Sequence, residues 1–240
     1  SKGRRIGGVL MRIQGLQKLT LLDYPGKTAC TIFLGGCNFR CPFCHNAALV
    51  TGVEDHENFS EEELFDFLKR RQGILDGVCI SGGEPLICPD LDELLKKIRD
   101  MGYLIKLDTN GSFPERLIRL VEEGLIDQVA MDLKNSREKY ARTVGLGQFD
   151  VRPIEESVEY LLEGHVPYAF RTTVVREFHQ KSDFEEMGRW IRGAATYYIQ
   201  QFENSGGLIR EGLHAYDEPV LLQVKAIMEN YVGEVEIRGI

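Results

Sequence analysis

The stretch Thr28-Ala29-Cys30-Thr31-Ile32-Phe33-Leu34 runs through Gly35-Gly36 into Cys37-Asn38-Phe39-Arg40-Cys41-Pro42-Phe43-Cys44-His45. Its first half is apolar and β-rich, the composition of a buried strand. Its second half sets three cysteines, Cys37, Cys41 and Cys44, in one short loop beyond that strand. Thiolates are soft ligands that suit iron–sulfur clusters and zinc. Three ligands from one loop can grip three corners of a cubane cluster and leave the fourth iron open to a substrate. A zinc site with His45 as fourth ligand is the alternative. It lacks the second two-ligand knuckle common in zinc folds, and His45 directly follows Cys44, which makes joint ligation awkward. Cys30 and Cys79 lie in apolar runs and read as core residues, and Cys88, between Ile87 and Pro89, as an unpaired structural cysteine.

Outward from this loop a strand-like run followed by a helix-like run recurs. Strands are expected at 28–34, 78–80, 104–107, 128–131, 168–175, 196–202 and 234–237. Helices are expected at 60–71, 89–101, 114–123, 154–163, 182–192 and 218–231. Ser60-Glu61-Glu62-Glu63 opens one helix as a capping box, and Ser182 with Glu185 reads as another. Leu91, Leu94, Leu95 and Ile98 recur at helical spacing. This alternation predicts an α/β fold of parallel strands with helical crossovers. About six repeats are too few for a closed eight-unit barrel and suit an open, partial barrel or a doubly wound sheet. One domain is expected over 11–240, with the basic, Gly-rich residues 1–10 an expression remnant or a disordered tail.

In such folds the site lies at the C-terminal ends of the strands. Polar segments fall there one after another: Cys37 to His45, Ser81-Gly82-Gly83-Glu84, Asp108-Thr109-Asn110-Gly111, Asp132-Leu133-Lys134, Arg171, and 201–204. Each has a plainer reading. Gly82-Gly83 is also a common tight turn, and Asp108 to Gly111 an Asx turn. Asp132 and Lys134 share a strand face and can form an ion pair, and Arg171 can make a structural salt bridge.

Of the 240 residues, 29 are Lys or Arg and 37 are Asp or Glu, a net charge of −8 that disfavours nonspecific nucleic-acid binding. No apolar run of about 18 residues predicts a membrane span, and no signal-peptide pattern appears. A cytoplasmic, reducing setting is expected, in which disulfides are rare. Asn58-Phe59-Ser60 matches a glycosylation acceptor that such a chain would never use.

Taken together, Cys37-x3-Cys41-x2-Cys44 with Phe43 before the last cysteine, and Ser81-Gly82-Gly83-Glu84-Pro85, resemble the radical S-adenosylmethionine superfamily. Cys44-His45-Asn46, Leu107-Asp108-Thr109-Asn110-Gly111 and Asp132-Leu133-Lys134 resemble its glycyl-radical-enzyme activases, most of all those of anaerobic ribonucleoside-triphosphate reductase and pyruvate formate-lyase. The match runs from about Gln14 to the C-terminus.

The resemblance implies that Cys37, Cys41 and Cys44 hold a [4Fe–4S] cluster whose open iron binds S-adenosylmethionine. It implies that Phe43 and the His45 backbone border the adenine, that Gly82 and Gly83 let the backbone approach the methionine amino group, and that Glu84 helps set that loop. Lys134 would pair with the methionine carboxylate, with Asp108 and Arg171 nearby. Asp108, Thr109, Asp132 and the Ala130 carbonyl would surround a monovalent cation. Implied partners are a glycyl radical enzyme as protein substrate and a flavodoxin- or ferredoxin-type electron donor, with no membrane or nucleic acid. Two positions depart from the family pattern. Its Asp-Gly-Pro-Gly segment stands here as Asp23-Tyr24-Pro25-Gly26, and its ribose-contacting histidine has no counterpart, Glu203 lying near that place. A related enzyme acting on a small molecule or peptide, similar to 7-carboxy-7-deazaguanine synthase, is the second reading. A non-enzymatic iron–sulfur or zinc module is the third.

Overall fold

Parallel strands need long crossovers, and the sequence supplies a helix for each. The computed structural model describes residues 12–51, 58–204 and 206–240; the expectation for residues 1–10 lies outside these. Within them the strands are β1 (Ile13–Thr20), β2 (Ala29–Leu34), β3 (Gly77–Gly82), β4 (Leu104–Thr109), β5 (Gln128–Asp132), β6 (Tyr168–Val174), β7 (Thr196–Gln201) and β8 (Glu234–Arg238). They form one eight-stranded sheet in strict sequence order. β1 pairs antiparallel with β2, and every later neighbour pair is parallel. β1 and β8 do not pair with each other, so the barrel stays open. The order never reverses, which excludes the doubly wound alternative. Right-handed crossovers in one direction put their helices on one face.

The helices are α1 (Ala47–Thr51), α2 (Glu61–Arg71), α3 (Leu91–Asp100), α4 (Pro114–Glu122), α5 (Tyr140–Thr143), α6 (Arg152–Leu162), α7 (Lys181–Trp190) and α8 (Glu218–Met228). The crossover helices are amphipathic: α3 buries Leu91, Leu94, Leu95 and Ile98 against the sheet, and α4 buries Leu117, Leu120 and Val121. The Ser60 capping box forms as expected, Ser60 Oγ accepting from the Glu63 amide and Glu63 from the Ser60 amide. The second box is corrected. It is not Ser182 with Glu185 but Gln180 with Asp183, because α7 starts before Ser182.

Period two along the strands sorts their side chains. On β4, Ile105 and Leu107 are fully buried apolar residues, whereas Lys106 and Asp108 line the cavity inside the barrel. The helix-covered face is therefore apolar and the concave face polar, which places the cavity before any ligand is considered.

Candidate active site

The cysteine loop leaves β2 through Gly35 and Gly36 and is held by the backbone of distant segments. Arg40 donates its amide to the Val144 carbonyl (2.9 Å), and Arg210 donates its amide to the Pro42 carbonyl (3.0 Å). The Arg40 guanidinium donates to the carbonyls of Cys37 (2.6 Å) and Phe39 (2.7 Å). Phe39 packs edge-on against Phe149, the ring centres 5.2 Å apart. The Phe39 amide points at Cys37 Sγ (3.4 Å), as does the side-chain amide of Asn110 (3.9 Å). Burial pushes the Cys37 thiol up to about 12 and the Cys41 thiol up to about 11, and raises Cys44 as well, while Lys134 pulls all three the other way.

The glycine pair after β3 is needed by the protein's own backbone. A Cβ on Gly83 would sit 1.9 Å from the Gly36 carbonyl oxygen, and one on Gly82, whose φ is +124°, 2.2 Å from that of Leu34. The Gly83 and Glu84 amides donate to Leu34 (2.9 Å) and Gly36 (2.8 Å). Asn46 donates its side-chain amide to the Gly82 carbonyl (2.9 Å). The turn thus clamps the stem of the cysteine loop. Glu84 is buried and accepts from the Leu86 amide (3.1 Å), the Thr109 hydroxyl (2.8 Å) and the Asn110 amide (2.7 Å). Burial pushes its carboxyl up to about 7 against these three donors.

Deeper in the barrel, carboxylates and cations alternate. Lys134 Nζ meets Asp132 at 2.8 Å, the ion pair their spacing allows. Arg171 bridges both acids, its Nη1 3.0 Å from Asp108 and its Nε against Asp132. Lys106, which sequence reasoning missed, is 4% exposed and pairs with Asp108. Burial pushes the Asp108 and Asp132 carboxyls up, but Arg171, with Lys106 at Asp108 and Lys134 at Asp132, overrides it and holds both below the usual carboxylate range.

These groups line one cavity of about 500 Å³. Cys37, Cys41, Cys44, Phe43, His45, Gly82, Gly83, Lys134, Arg171 and Glu203 all face it, as do Asp108, Thr109, Ala130 and Asp132. Glu84 stands behind the wall, acting through the turn it anchors. Phe43 is buried against Phe178 and His179; His45 is exposed, its ring 5.8 Å from that of Phe202. Tyr24 is buried and packs where a Cβ on Gly77 would fall, so the departure at this position is absorbed by the strand start. Besides Lys106, the cavity takes in Tyr198, Gln200 and Arg238, which carry no motif that would single them out, and Ser81, which opens the glycine segment.

Residues 31–191 match the model of the Radical SAM superfamily. The chain belongs to the radical SAM superfamily. It is 32% identical to a Methanocaldococcus jannaschii protein named as a candidate glycyl-radical enzyme activating enzyme, over 95% of this chain and 96% of that one. It is 29% identical to the pyruvate formate-lyase-activating enzyme of Listeria monocytogenes, over 70% of each. A solved domain of the pyruvate formate-lyase-activating enzyme of Bacteroides vulgatus superposes with a TM-score of 0.56 at 19% identity, covering 68% of this chain and 99% of that domain. Radical SAM enzymes use a [4Fe–4S] cluster and S-adenosylmethionine, and the donor set fits both. Among the described residues no three His, Cys, Asp or Glu side chains converge on one ion. A cubane, taking one thiolate per corner, needs no common point. No helix among the described residues is long and apolar enough to cross a membrane.

Proposed function

We propose that this radical SAM enzyme activates a glycyl radical enzyme, with anaerobic ribonucleoside-triphosphate reductase the preferred target. When bound, the reduced cluster supplies one electron that splits S-adenosylmethionine into methionine and a 5′-deoxyadenosyl radical, which takes a hydrogen atom from a glycine Cα of the partner. Cys37, Cys41 and Cys44 hold the cluster from one loop. The turn at Gly82 and Gly83, anchored by Glu84, presents its backbone to the methionine amino group. Lys134 receives the methionine carboxylate, with Arg171 and Asp108 fixing the charge around it. Phe43 and His45 border the adenine, and Glu203 accepts from the ribose hydroxyls. None of these residues needs to move a proton, and their tasks are orientation and exclusion of water.

The observation that carries this reading is the placement of Lys134. It lines the same cavity as Cys37, Cys41 and Cys44 while paired to Asp132. A zinc module has no use for a cation there. The relatives named for glycyl-radical and pyruvate formate-lyase activation support the choice of a protein substrate. The open barrel edge leaves room for a partner's loop. A flavodoxin- or ferredoxin-type donor in the cytoplasm completes the proposal.

The test is anaerobic reconstitution with iron, sulfide, dithionite and S-adenosylmethionine, with 5′-deoxyadenosine as product. Electron spin resonance after adding the ribonucleotide reductase should then show a persistent glycyl radical. Deoxyadenosine without any protein radical would transfer the reading to a small-molecule or peptide substrate. The polar side chains of Tyr198, Gln200 and Arg238 in the lining of the same cavity favour that second reading.

A further inference from the structure

The four groups expected around a monovalent cation are already committed to protein partners. Asp108 accepts from Lys106 Nζ, from Arg171 Nη1 (3.0 Å) and from the Ser81 hydroxyl (3.2 Å). Asp132 accepts from Arg171 Nε and from Lys134 Nζ (2.8 Å). The Thr109 hydroxyl is engaged, donating to Glu84 (2.8 Å) and accepting from the Gly111 amide (3.1 Å). The Ala130 carbonyl belongs to a strand paired on both sides, with Asp108 and Ala169 opposite it. The set therefore does not fit an alkali ion.

The charge balance says the same. Lys106, Lys134 and Arg171 face Asp108 and Asp132, three positive charges against two negative. Asp23, Glu203 and Arg238 also line the cavity, so this excess of one positive charge is local to the five bonded groups, where the incoming methionine carboxylate meets it. An added alkali ion would have to displace these cations from Asp108 and Asp132 and shed water for oxygens already bonded.

We propose that Lys106 and Arg171 are the resident cations of this site, so that the chain binds S-adenosylmethionine without an alkali-metal ion. The proposal rests on the radical SAM reading above. Lys106 acts through Asp108 and is a positioning residue. Its terminal nitrogen, 3.8 Å from Cys79 Sγ and otherwise bonded to Asp108, has no other polar partner assigned among the described residues.

The test uses the reconstituted holoenzyme, desalted without oxygen into tetramethylammonium, sodium or potassium chloride at one ionic strength. Equilibrium dialysis of labelled S-adenosylmethionine should give dissociation constants within threefold of each other across the three salts. A larger gain in sodium or potassium overturns the proposal. Thallium(I) soaked into crystals of the same protein offers a readout independent of the cofactor. An anomalous peak between Asp108 and Asp132 would overturn the proposal, and none is expected. Lys106→Met should bind at least tenfold more weakly in tetramethylammonium and recover in potassium. A Lys106→Met protein indifferent to salt, and as tight as the parent, reduces Lys106 to a structural pair and overturns its role. If that variant does not fold, Lys106→Gln takes its place, and the unsubstituted protein decides the matter by itself. Failure to bind S-adenosylmethionine in every salt would instead remove the reading beneath the proposal.

Discussion

Lys134 lines the cavity and is paired there to Asp132. Lys134→Met removes the cation but leaves Asp132 its bond to Arg171. A hydrogen bond to a charged group contributes about 1.5–3 kcal/mol, so binding of S-adenosylmethionine should weaken roughly 10- to 150-fold. Iron and sulfide content should stay at the parent level; loss of iron together with binding would place Lys134 in the loop's structure. Asn110 makes a different prediction. Its side-chain amide points at Cys37 Sγ, and hydrogen bonds to sulfur raise a cluster's potential. Asn110→Leu should lower the potential by on the order of tens of millivolts, read by titration under electron spin resonance. An unchanged potential would mean the contact carries no charge stabilisation. At this scale the sequence was legible where partners are neighbours. Asp132 and Lys134, two residues apart, announce their ion pair. Lys106 and Asp108 stand in the same relation, yet a lone lysine between Ile105 and Leu107 carries no motif and was passed over. The three donors to Glu84 include Thr109 and Asn110, whose meeting with it depends on strand order rather than spacing.

Elements explain why the glycines matter. Sequence reasoning singled out Gly82 and Gly83 for the cofactor. In the structure their missing Cβ atoms first allow β3 to close on the stem of the cysteine loop. Gly83→Ala would drive a methyl into the Gly36 carbonyl. It should cost about 2–4 kcal/mol in urea unfolding of the apoprotein and should lower bound iron. A variant with full iron and unchanged stability would show that the stem yields freely. On the outer face, Ser60→Ala should cost about 1 kcal/mol by removing a formed cap, with cofactor binding unaffected. The cap of α7 was misplaced because a Ser–x–x–Glu pattern at Ser182 outranks Gln180 on propensity. The Asp183 side chain, bonded to the Gln180 amide, settles the start in the fold.

For the whole molecule, acid sensitivity is expected to arise in the barrel interior. Asp108 and Asp132 are held below their ordinary values, so their stabilisation is present above the unfolded-state range near 4 and is lost as pH falls from there through their lower folded-state values. Glu84 runs the other way: its carboxyl is raised to about 7, so its contribution is full below about 4.5 and fades as pH rises through 7. The urea midpoint of the apoprotein should therefore fall below about pH 4. Asp132→Asn should flatten that acid limb. Glu84→Gln should alter the slope only between about pH 4.5 and 7, and a slope change confined to lower pH would contradict the assignment. The architecture was legible because parallel strands announce themselves through their crossover helices. β1 was not: Gly15 and exposed polar residues blur its period, and its antiparallel place depends on β2.

The anchors of the cysteine loop also bear on when it can take shape during synthesis. Cys37, Cys41 and Cys44 leave the ribosome early, but Arg40 and Pro42 wait for Val144 and Arg210 to close their hydrogen bonds. Until some 170 further residues have emerged, the thiols ride on an unfinished loop. Iron loaded onto the nascent chain would find no completed seat. Maturation therefore belongs after Arg210 has emerged, and the interval before it is when these thiols stand open to oxidation or to the wrong metal.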